Sequence, residues 1–380
     1  MTAGVYLHIP FCKSRCSYCD FATDVYRSSD GVDRYVNALV TEISSNSLSN
    51  PKSKTQNPKS ADTVYFGGGT PSLLSPKEVE VILKAVKLEF DVSPTAEITM
   101  EMNPATVTIE SLNGYRALGV NRASFGVQTF NDRALKLLAR GHDANDARNT
   151  FRLLRDAGFE NISFDLIGGL PGQTFDDWRR NLGEAISMQP EHLSLYLLEI
   201  HEATPLAEQI RSGRQPKPDD ELAAEMYEHM VEKLSAAGYE QYEISNFAKP
   251  GFESQHNSKY WRLDPVYGFG VSAHSFDGYQ RHANERDTAK YVQSIEDALS
   301  AEVFRERIVV ASEYAFLGLR LADGLDLDEY RRRFGFAIEE KYALELQTAT
   351  DNGLIQLEEG RLILTDKGKV FSNEVFSIFV

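Results

Sequence analysis

The sequence is poor in cysteine and contains no long apolar run. Its 380 residues include 3 cysteines, and all of them stand between Cys12 and Cys19. Three cysteines cannot all pair within one chain, and Met1 to Gly4 is too short and polar for the apolar part of a secretory signal, so a disulfide framework is disfavoured. No stretch approaches the roughly 18 consecutive apolar residues of a membrane span, which predicts a soluble protein.

Basic residues are scarce relative to acidic ones. The chain has 40 Lys and Arg against 56 Asp and Glu, a formal net charge of −16. This surplus of negative charge opposes a broad phosphate-binding surface, so nucleic acid is not expected as a partner. With 42% hydrophobic residues, the chain is long enough to bury one large core and a smaller second domain.

The cysteines have the spacing of a metal-binding loop. Three residues separate Cys12 from Cys16, and two separate Cys16 from Cys19. A zinc site would take His8 as a fourth ligand, although structural zinc ligands usually come as two separated pairs. In a four-iron cluster three cysteines leave one iron open, and that iron can bind a small molecule through amino and carboxylate groups. The spacing therefore favours an iron–sulfur cluster, with zinc and unligated thiols as alternatives.

Six apolar runs predict the parallel strands of an α/β fold. The cysteine loop, the glycine-rich segment 67–72, Glu101, Gln128 and Asp165 lie at or near the C-terminal ends of these runs. Active sites of parallel β/α barrels are built at that rim. Six units instead of eight predict an incomplete (β/α)6 barrel that is open enough for a large substrate. The predicted strands are residues 5–9, 63–66, 97–102, 122–127, 162–167 and 192–198.

Apolar residues at helical spacing predict the helices between these strands. The main predicted helices are residues 35–43, 75–90, 109–118, 144–157 and 175–188. Residues 44–61 are rich in Ser, Asn, Pro and Lys and offer almost nothing to bury, so they are predicted to form a surface loop.

The motifs resemble those of the radical S-adenosylmethionine superfamily. The string from Tyr6 to Phe21, YLHIPFCKSRCSYCDF, carries its C-x3-C-x2-C signature, and GGGTPS, SFGVQTF and GLPGQT follow farther along. The HIPFC context is similar to the branch that contains the oxygen-independent coproporphyrinogen III oxidases and the HemW-type haem chaperones. One departure is Ala105, where the family usually has glycine after Asn103-Pro104, so that turn is expected to differ slightly.

The resemblance implies cofactors and a set of ligands. Cys12, Cys16 and Cys19 would bind a [4Fe–4S] cluster whose open iron chelates S-adenosylmethionine, and an oxygen-sensitive cluster predicts a cytoplasmic protein. Arg140 is the expected partner of a substrate carboxylate, which a planar guanidinium binds with two hydrogen bonds. The residues implied to contact S-adenosylmethionine are Tyr6, Tyr18, Gly68, Gly69, Thr70, Glu101, Gln128, Arg140 and Asp165.

The motif HNSKYW at residues 256–261 is one that the resemblance links to haem chaperones. It implies that His256 is a haem ligand and that Tyr260 and Trp261 pack against the porphyrin. Without the resemblance, His256 is interpreted as an ordinary hydrogen-bonded histidine. His274 is a weaker alternative ligand.

The chain is predicted to consist of a barrel (1–215), a connecting region (216–305) and a smaller α+β module of winged-helix type (306–380). In the module, helices at 313–321, 327–334 and 339–352 precede a hairpin at 354–364. Basic residues are concentrated there only at 331–333. A lid or a partner-docking module is therefore expected rather than a nucleic-acid-binding domain.

Three functions fit the motifs. The first is a haem chaperone that transfers haem to acceptor proteins. The second is an oxygen-independent coproporphyrinogen III oxidase, and the third, opposed by the acidic charge balance, is a radical RNA-modifying enzyme. The oxidases have a further cysteine two residues beyond the third, where this chain has Phe21, and a long N-terminal segment, whereas eleven residues precede Cys12. These differences favour the chaperone, whose candidate partners are haem, haem-requiring acceptors at the membrane surface, and a second copy of the chain.

Overall fold

The computed structural model describes residues 2–26, 28–45 and 59–380. Its strands are β1 (Ala3–Ile9), β2 (Phe11–Cys12), β3 (Asp24–Val25), β4 (Lys59–Gly68), β5 (Phe90–Met102), β6 (Arg122–Gln128), β7 (Asn161–Gly168), β8 (His192–Leu197), β9 (Glu240–Glu243), β10 (Asn246–Ala248), β11 (Val266–Phe269), β12 (His274–Phe276), β13 (Gln280–Asn284), β14 (Glu302–Arg307), β15 (Leu325–Asp326), β16 (Ile355–Glu358) and β17 (Arg361–Leu364). Its α-helices are α1 (Ser29–Ser45), α2 (Pro76–Glu89), α3 (Ile109–Ala117), α4 (Asp132–Leu137), α5 (Ala144–Asp156), α6 (Phe175–Met188), α7 (Pro205–Arg211), α8 (Asp220–Ala236), α9 (Gln255–Trp261), α10 (Thr288–Ala298), α11 (Val310–Gly318), α12 (Leu327–Phe334), α13 (Ile338–Lys341), α14 (Ala343–Asp351), α15 (Asp366–Val370) and α16 (Ser372–Phe376). No helix in this part of the chain is long and apolar enough to cross a membrane.

The six predicted strands form the barrel. Strands β1, β4, β5, β6, β7 and β8 lie side by side in that order, and every neighbouring pair is parallel. Helices α1 to α6 connect them. The predicted incomplete (β/α)6 barrel is confirmed. Of the predicted surface loop 44–61, residues 44–45 end α1 and 59–61 begin β4, while 46–58 lie outside the described residues.

The two faces of the barrel strands differ in polarity. The outward side chains are apolar and pack under the helices, as Phe125 and Phe164 do in the main core. The inward positions of the same strands carry polar groups that contact one another between neighbouring strands. The Ser163 hydroxyl lies 2.8 Å from Nδ1 of His192, and Arg122, only 1% exposed, lies 4.0 Å from Glu97. The lumen is therefore a buried polar space.

Further strands extend the sheet beyond both edges of the barrel. Strand β11 pairs with β1 in parallel, and β12, β13 and β14 follow it as an antiparallel meander. At the other edge β10 and β9 pair antiparallel next to β8. Most of these strands were not predicted, because they are short and β14 is exposed along its whole length. The sheet remains open, so β14 and β9 are its edges.

Local sequence signals set the helix starts near the rim. At the start of α2, the Ser75 side chain accepts from the Glu78 backbone while the Glu78 carboxylate accepts from the Ser75 backbone, and Pro76 occupies the first turn. Such reciprocal capping satisfies amide groups that have no partner within the helix. Thr174 and Asp177 cap α6 in the same way.

The C-terminal module has its own core. Helices α11 to α14 precede the β16–β17 hairpin, which pairs with β15, and buried residues such as Leu325, Tyr330 and Leu346 fill the space between them. This order is the predicted winged-helix type. The predicted helix 339–352 is divided at Tyr342, where α13 ends and α14 begins.

The module is joined to the sheet edge at β9. The Ala322 amide donates to the Tyr242 carbonyl at 3.0 Å, and Nη2 of Arg320 lies 3.1 Å from Oε2 of the fully buried Glu243. The Arg320 guanidinium also lies over the Trp261 ring at 4.3 Å. The contact thus combines backbone hydrogen bonds, a cation–π contact and a buried ion pair.

We expect Arg320→Ala to lower the free energy of unfolding by about 3 kcal/mol, because it leaves the Glu243 carboxylate buried without its cation. Urea denaturation of the whole chain measures the change. Arg332→Ala is the matched control, since Arg332 pairs with Glu329 on an exposed helix face and should change stability by less than about 0.5 kcal/mol. Equal losses in the two variants would contradict a structural role for the Arg320–Glu243 pair.

Candidate functional site

The cysteine loop begins at the C-terminal end of β1 and is closed at its base by backbone pairing. The Asp24 amide donates to the Pro10 carbonyl at 2.8 Å, and the Tyr26 amide donates to the Cys12 carbonyl at 2.8 Å. These bonds hold β2 beside β3 in parallel. All three thiols are unpaired with one another and half-buried, as loop-borne metal ligands are.

The middle of the loop is fixed by two helices on the far side of the barrel mouth. Ser17 donates from its amide to the Leu138 carbonyl at 2.9 Å and from its hydroxyl to the Leu137 carbonyl at 3.0 Å. The Leu206 amide, at the start of α7, donates to the Ser17 carbonyl at 2.8 Å. The loop position is thereby set by the barrel and not by the loop alone.

Two polar groups donate towards the thiols. Nη1 of Arg140 lies 3.5 Å from Sγ of Cys16, and the Thr70 hydroxyl lies 3.5 Å from Sγ of Cys12. Burial raises the pKa of the Cys12 and Cys19 thiols, which favours the protonated form until a metal binds. Such donors fit thiolates that carry a cluster.

The three thiols do not converge on one ion position in the described part of the chain. Within the described residues, no group of three or more His, Cys, Asp or Glu side chains is close enough to hold one metal ion. A four-iron cluster does not need that proximity, because each thiolate binds a different iron.

Asn103 connects the two donors, Thr70 and Arg140. No role for Asn103 is predicted from the sequence. Its Nδ2 donates to the Thr70 hydroxyl at 2.7 Å, and its Oδ1 accepts from Nη2 of Arg140 at 2.6 Å. The same Nη2 donates to the Gly126 carbonyl at 2.7 Å. This network ties the ends of β4, β5 and β6 to two of the cysteines. Asn103 stands directly before Pro104, and this sequence context predicts only a turn.

The glycine segment after β4 lies in close contact with the backbone that leads into the cysteine loop. The Gly69 amide donates to the Ile9 carbonyl at 2.7 Å, and a Cβ on Gly69 would stand 2.6 Å from the Pro10 carbonyl oxygen. Gly68 has φ +108°, and a Cβ there would stand 2.7 Å from the His8 ring. Only glycine permits this approach beside the cysteine loop.

The predicted acids Glu101 and Asp165 both face the lumen. Burial raises the pKa of Glu101 to about 7 and that of Asp165 to about 6. The Glu101 carboxylate accepts from the Tyr65 hydroxyl at 2.8 Å and from the Gly68 amide at 3.1 Å. Both groups are therefore able to exchange a proton with a ligand near neutral pH.

Tyrosines line the cavity below this rim. Tyr196 is 43% exposed and Tyr260 is 36% exposed, yet burial raises the pKa of both hydroxyls. Tyr196 stands two residues after Ser194 in β8, which pairs with Asp165, so its side chain lies on the lumen face of the sheet. The negative charge of Glu101 adds to the raised pKa of Tyr6 and of Tyr260, which places all three groups around one space. The period-2 spacing of polar residues in the strands was the missed signal.

The two remaining predicted contacts lie at the same end of the barrel. Tyr18 packs against the small apolar cluster that includes Leu138 and Leu170, and burial raises its pKa. Gln128 is 8% exposed and has φ +66°, a left-handed backbone that a non-glycine residue rarely adopts. The candidate contacts with S-adenosylmethionine thus surround one mouth, and their roles stay a prediction.

His256 lies on α9 beneath the lumen, and its ring centroid is 6.4 Å from that of Tyr6, one of the predicted contacts. It is 1% exposed, its Nδ1 lies 2.8 Å from the Thr63 hydroxyl, and its Nε2 lies 3.2 Å from the Tyr260 hydroxyl. Its ring stacks on Tyr65 at 5.0 Å. Burial lowers its pKa to about 3, so the imidazole is neutral. Both nitrogens are occupied in this conformation, and Tyr260 faces the lumen.

The comparisons with known proteins agree with this geometry. A model of the radical SAM superfamily matches residues 6–184, and one of the HemN C-terminal domain matches residues 306–371. The structure of coproporphyrinogen III oxidase (HemN) from Escherichia coli superposes with a TM-score of 0.86 at 23% identity, covering 100% of this chain and 90% of that one. Barrel, cysteine loop and matched models define a radical SAM protein, a class that implies a [4Fe–4S] cluster and S-adenosylmethionine.

Relatives that match over the full length identify the family within this class. The chain is 38% identical to the heme chaperone HemW of Bacillus subtilis, with 99% of each chain covered. It is 33% identical to the heme chaperone HemW of Escherichia coli, with 99% of this chain and 98% of that one covered. The chain belongs to the HemW family of the radical SAM superfamily.

The turn at Ala105 yields a test. Ala105 has φ +60°, the left-handed conformation that glycine adopts without strain, and its carbonyl accepts from Nζ of Lys13 in the cysteine loop at 3.2 Å. We expect Ala105→Gly to stabilise the protein by about 1 kcal/mol in urea denaturation. Ala157→Gly is the control: Ala157 has φ −74°, so glycine there should destabilise by about 0.5–1 kcal/mol. A loss of stability in Ala105→Gly would show that the backbone at Ala105 is not strained.

Proposed function

We propose that this protein is a haem chaperone, which binds haem and transfers it to haem-requiring acceptor proteins. The observation that carries the proposal is the similarity over nearly the whole chain to heme chaperones HemW, including both the barrel and the C-terminal module. Phe21 supports it, because it stands where the oxidases carry a further cysteine, and its side chain is 66% exposed next to the cluster loop. A cytoplasmic location fits reduced thiols. Acceptors at the membrane and a homodimer stay predictions.

The cysteine loop would hold the [4Fe–4S] cluster. Cys12, Cys16 and Cys19 would each bind one iron, and the donors from Thr70 and Arg140 would reduce the charge that the thiolates concentrate in a partly buried site. When bound, the cluster offers an open iron to the amino and carboxylate groups of S-adenosylmethionine.

The rim would hold S-adenosylmethionine. Its positive charge suits Glu101 and Asp165, because a cation nearby favours the ionised form of a buried carboxyl. The glycine segment lets the ligand approach the backbone. Of the Arg140 guanidinium, Nη1 and Nη2 already donate within the site, and Nε, buried without a partner in the described residues, is the donor left for a carboxylate.

The sequence prediction that His256 binds haem iron stays open. Its neutral imidazole is the correct form for a ligand. Iron coordination would require the Thr63 or the Tyr260 hydroxyl to release a ring nitrogen, and α9 would have to expose the ring. Binding at His256 therefore implies a conformational change.

A role in nucleic-acid binding is poorly supported. The three arginines 331–333 of α12 are neutralised or stacked: Arg331 pairs with Glu339, Arg332 pairs with Glu329, and Arg333 lies over the Tyr314 ring at 4.7 Å. Phosphate binding needs cations that are available to the ligand.

We expect Cys12→Ser, Cys16→Ser and Cys19→Ser each to prevent cluster assembly, because each removes the only protein ligand of one iron. Iron and sulfide analysis after anaerobic reconstitution should give about four irons per wild-type chain and far fewer per variant. Ser14→Ala, on the exposed part of the same loop, is the control and should assemble normally. Stoichiometric zinc instead of iron in the protein as isolated would favour the zinc alternative.

The chaperone proposal itself is tested by haem transfer. Reconstituted protein loaded with one haem should transfer it to an apo-acceptor such as apomyoglobin, followed by the absorbance of the acceptor. The same preparation should leave coproporphyrinogen III unchanged in the presence of S-adenosylmethionine and reductant. Conversion to protoporphyrinogen IX would replace the chaperone proposal with the oxidase.

We expect Glu101→Gln to weaken S-adenosylmethionine binding about tenfold, because it removes a charged acceptor at the rim. Isothermal titration of the reconstituted protein measures this. Glu110→Gln, an exposed change in the first turn of α3, is the matched control. Equal affinities in the two variants would remove Glu101 from the proposed site.

A further inference from the structure

The orientation of the Asn103 side chain is dictated by its neighbours. A guanidinium can only donate hydrogen bonds, so Asn103 must present its amide oxygen to Arg140, and Nη2 of Arg140 lies 2.6 Å from Oδ1. The amide nitrogen is then directed at Thr70, and Nδ2 donates to the Thr70 hydroxyl at 2.7 Å. Because an amide has one acceptor end and one donor end, the bond at Arg140 fixes the direction of the bond at Thr70.

The bond from Asn103 decides which acceptor the Thr70 hydroxyl uses. A hydroxyl has one hydrogen to donate. Since the Thr70 oxygen accepts from Asn103, this hydrogen is left for another acceptor, and Sγ of Cys12 lies 3.5 Å away. Thr70 is 1% exposed, so its hydroxyl is shielded from bulk water. The Asn103 amide therefore makes Thr70 a donor to Cys12.

Asn103 also holds the guanidinium that donates to a second cysteine. Nη2 of Arg140 uses one hydrogen for Oδ1 of Asn103 and the other for the Gly126 carbonyl at 2.7 Å. Because a guanidinium is planar, two bonds at Nη2 fix the direction of Nη1, which lies 3.5 Å from Sγ of Cys16. Asn103 thus orients the donors of two cysteines.

The turn that carries Asn103 is fixed by its backbone and not by its side chain. The Asn103 carbonyl accepts from the Thr106 hydroxyl at 2.6 Å and from the Thr106 amide at 3.2 Å. Within the described residues, the Asn103 side chain bonds only to Thr70 and Arg140. A residue that merely shaped the turn would not need this amide, so the side chain serves the two donors.

We propose that Asn103 is a positioning residue for the proposed cluster, and that it raises the reduction potential of this cluster by directing two hydrogen bonds to cysteine sulfurs. The inference rests on the cluster of the proposed function and does not require haem transfer. One-electron reduction adds negative charge, and donors to the sulfurs stabilise the reduced form more than the oxidised form. No bond breaks and no proton moves, and the electron comes from an added low-potential reductant.

The test uses Asn103→Asp, which keeps the shape of the side chain and an oxygen towards Arg140 but replaces the donor by an acceptor. The Thr70 hydroxyl would then donate to the new carboxylate and no longer to Cys12. We expect the ratio of reduced to oxidised cluster at a fixed solution potential to fall about tenfold, which is about 59 mV for a one-electron couple. Dithionite titration of the reconstituted protein without S-adenosylmethionine, followed by electron paramagnetic resonance, measures this ratio.

A double-mutant cycle separates the hydrogen bond from the added charge. Thr70→Val keeps the shape of the side chain and removes the hydroxyl, so in this background Asn103→Asp can act only through its charge. We expect the fall in the ratio caused by Asn103→Asp to be at least threefold smaller in this background than in wild-type protein. Equal falls in the two backgrounds overturn the proposal, and so does an unchanged potential in Asn103→Asp.

Asn121→Asp is the matched control. Asn121 lies at the opposite end of β6, where its side chain bonds to the Ile98 amide at 2.9 Å and to the Ala96 carbonyl at 2.8 Å, so the potential should equal that of wild type. If Asn103→Asp assembles too little cluster, Thr70→Val carries the test: a lower potential supports the proposal and an unchanged one overturns it. Wild-type protein that assembles no cluster would refute the proposed function instead, which distinguishes the two failures.

Discussion

The site depends on the difference in polarity between the two faces of the parallel strands. Helices cover the outside of the barrel, so the outward residues must be apolar, and side chains such as Phe125, Phe164 and Met100 provide that core. Alternation along each strand then directs every second residue into the lumen. There the chain places polar groups, among them Glu101 and Asp165, whose isolation from bulk water raises their pKa into the neutral range. Stability and chemistry thus use opposite faces of the same strands.

The strands also position the loops at the rim of the barrel. Asn103, Thr70 and Arg140 come from different crossovers, yet they form one hydrogen-bond network that reaches two cysteines. Left-handed residues at Ala105 and Gln128 accompany it. Strain and close packing are common at functional sites, where the surroundings over-determine the backbone. The cysteine loop therefore has a preformed geometry to which a cluster can bind.

The segment after the barrel adds strands to both edges of the same sheet. Strands β9 and β10 extend one edge and carry the contact with the C-terminal module, whereas β11 to β14 extend the other and present His274. Helix α9 lies beneath the lumen between them, with His256 turned inward and Trp261 turned towards Arg320. One motif thus contacts both the barrel lumen and the joint to the module.

The sequence alone determined the class of the protein. The cysteine spacing, the glycine segment and the six strand–helix units depend on local patterns, so they predicted the barrel, the cluster loop and the C-terminal module. Only the tertiary structure decided which side chains meet. Asn103 forms its hydrogen bonds with residues far away in the chain. The buried environment of His256, which lies on α9, is formed by Thr63 and Tyr65 of β4. Strands β12, β13 and β14 extend the sheet because three short segments pair with one another, and pairing between strands is a property that no local pattern in this chain encodes.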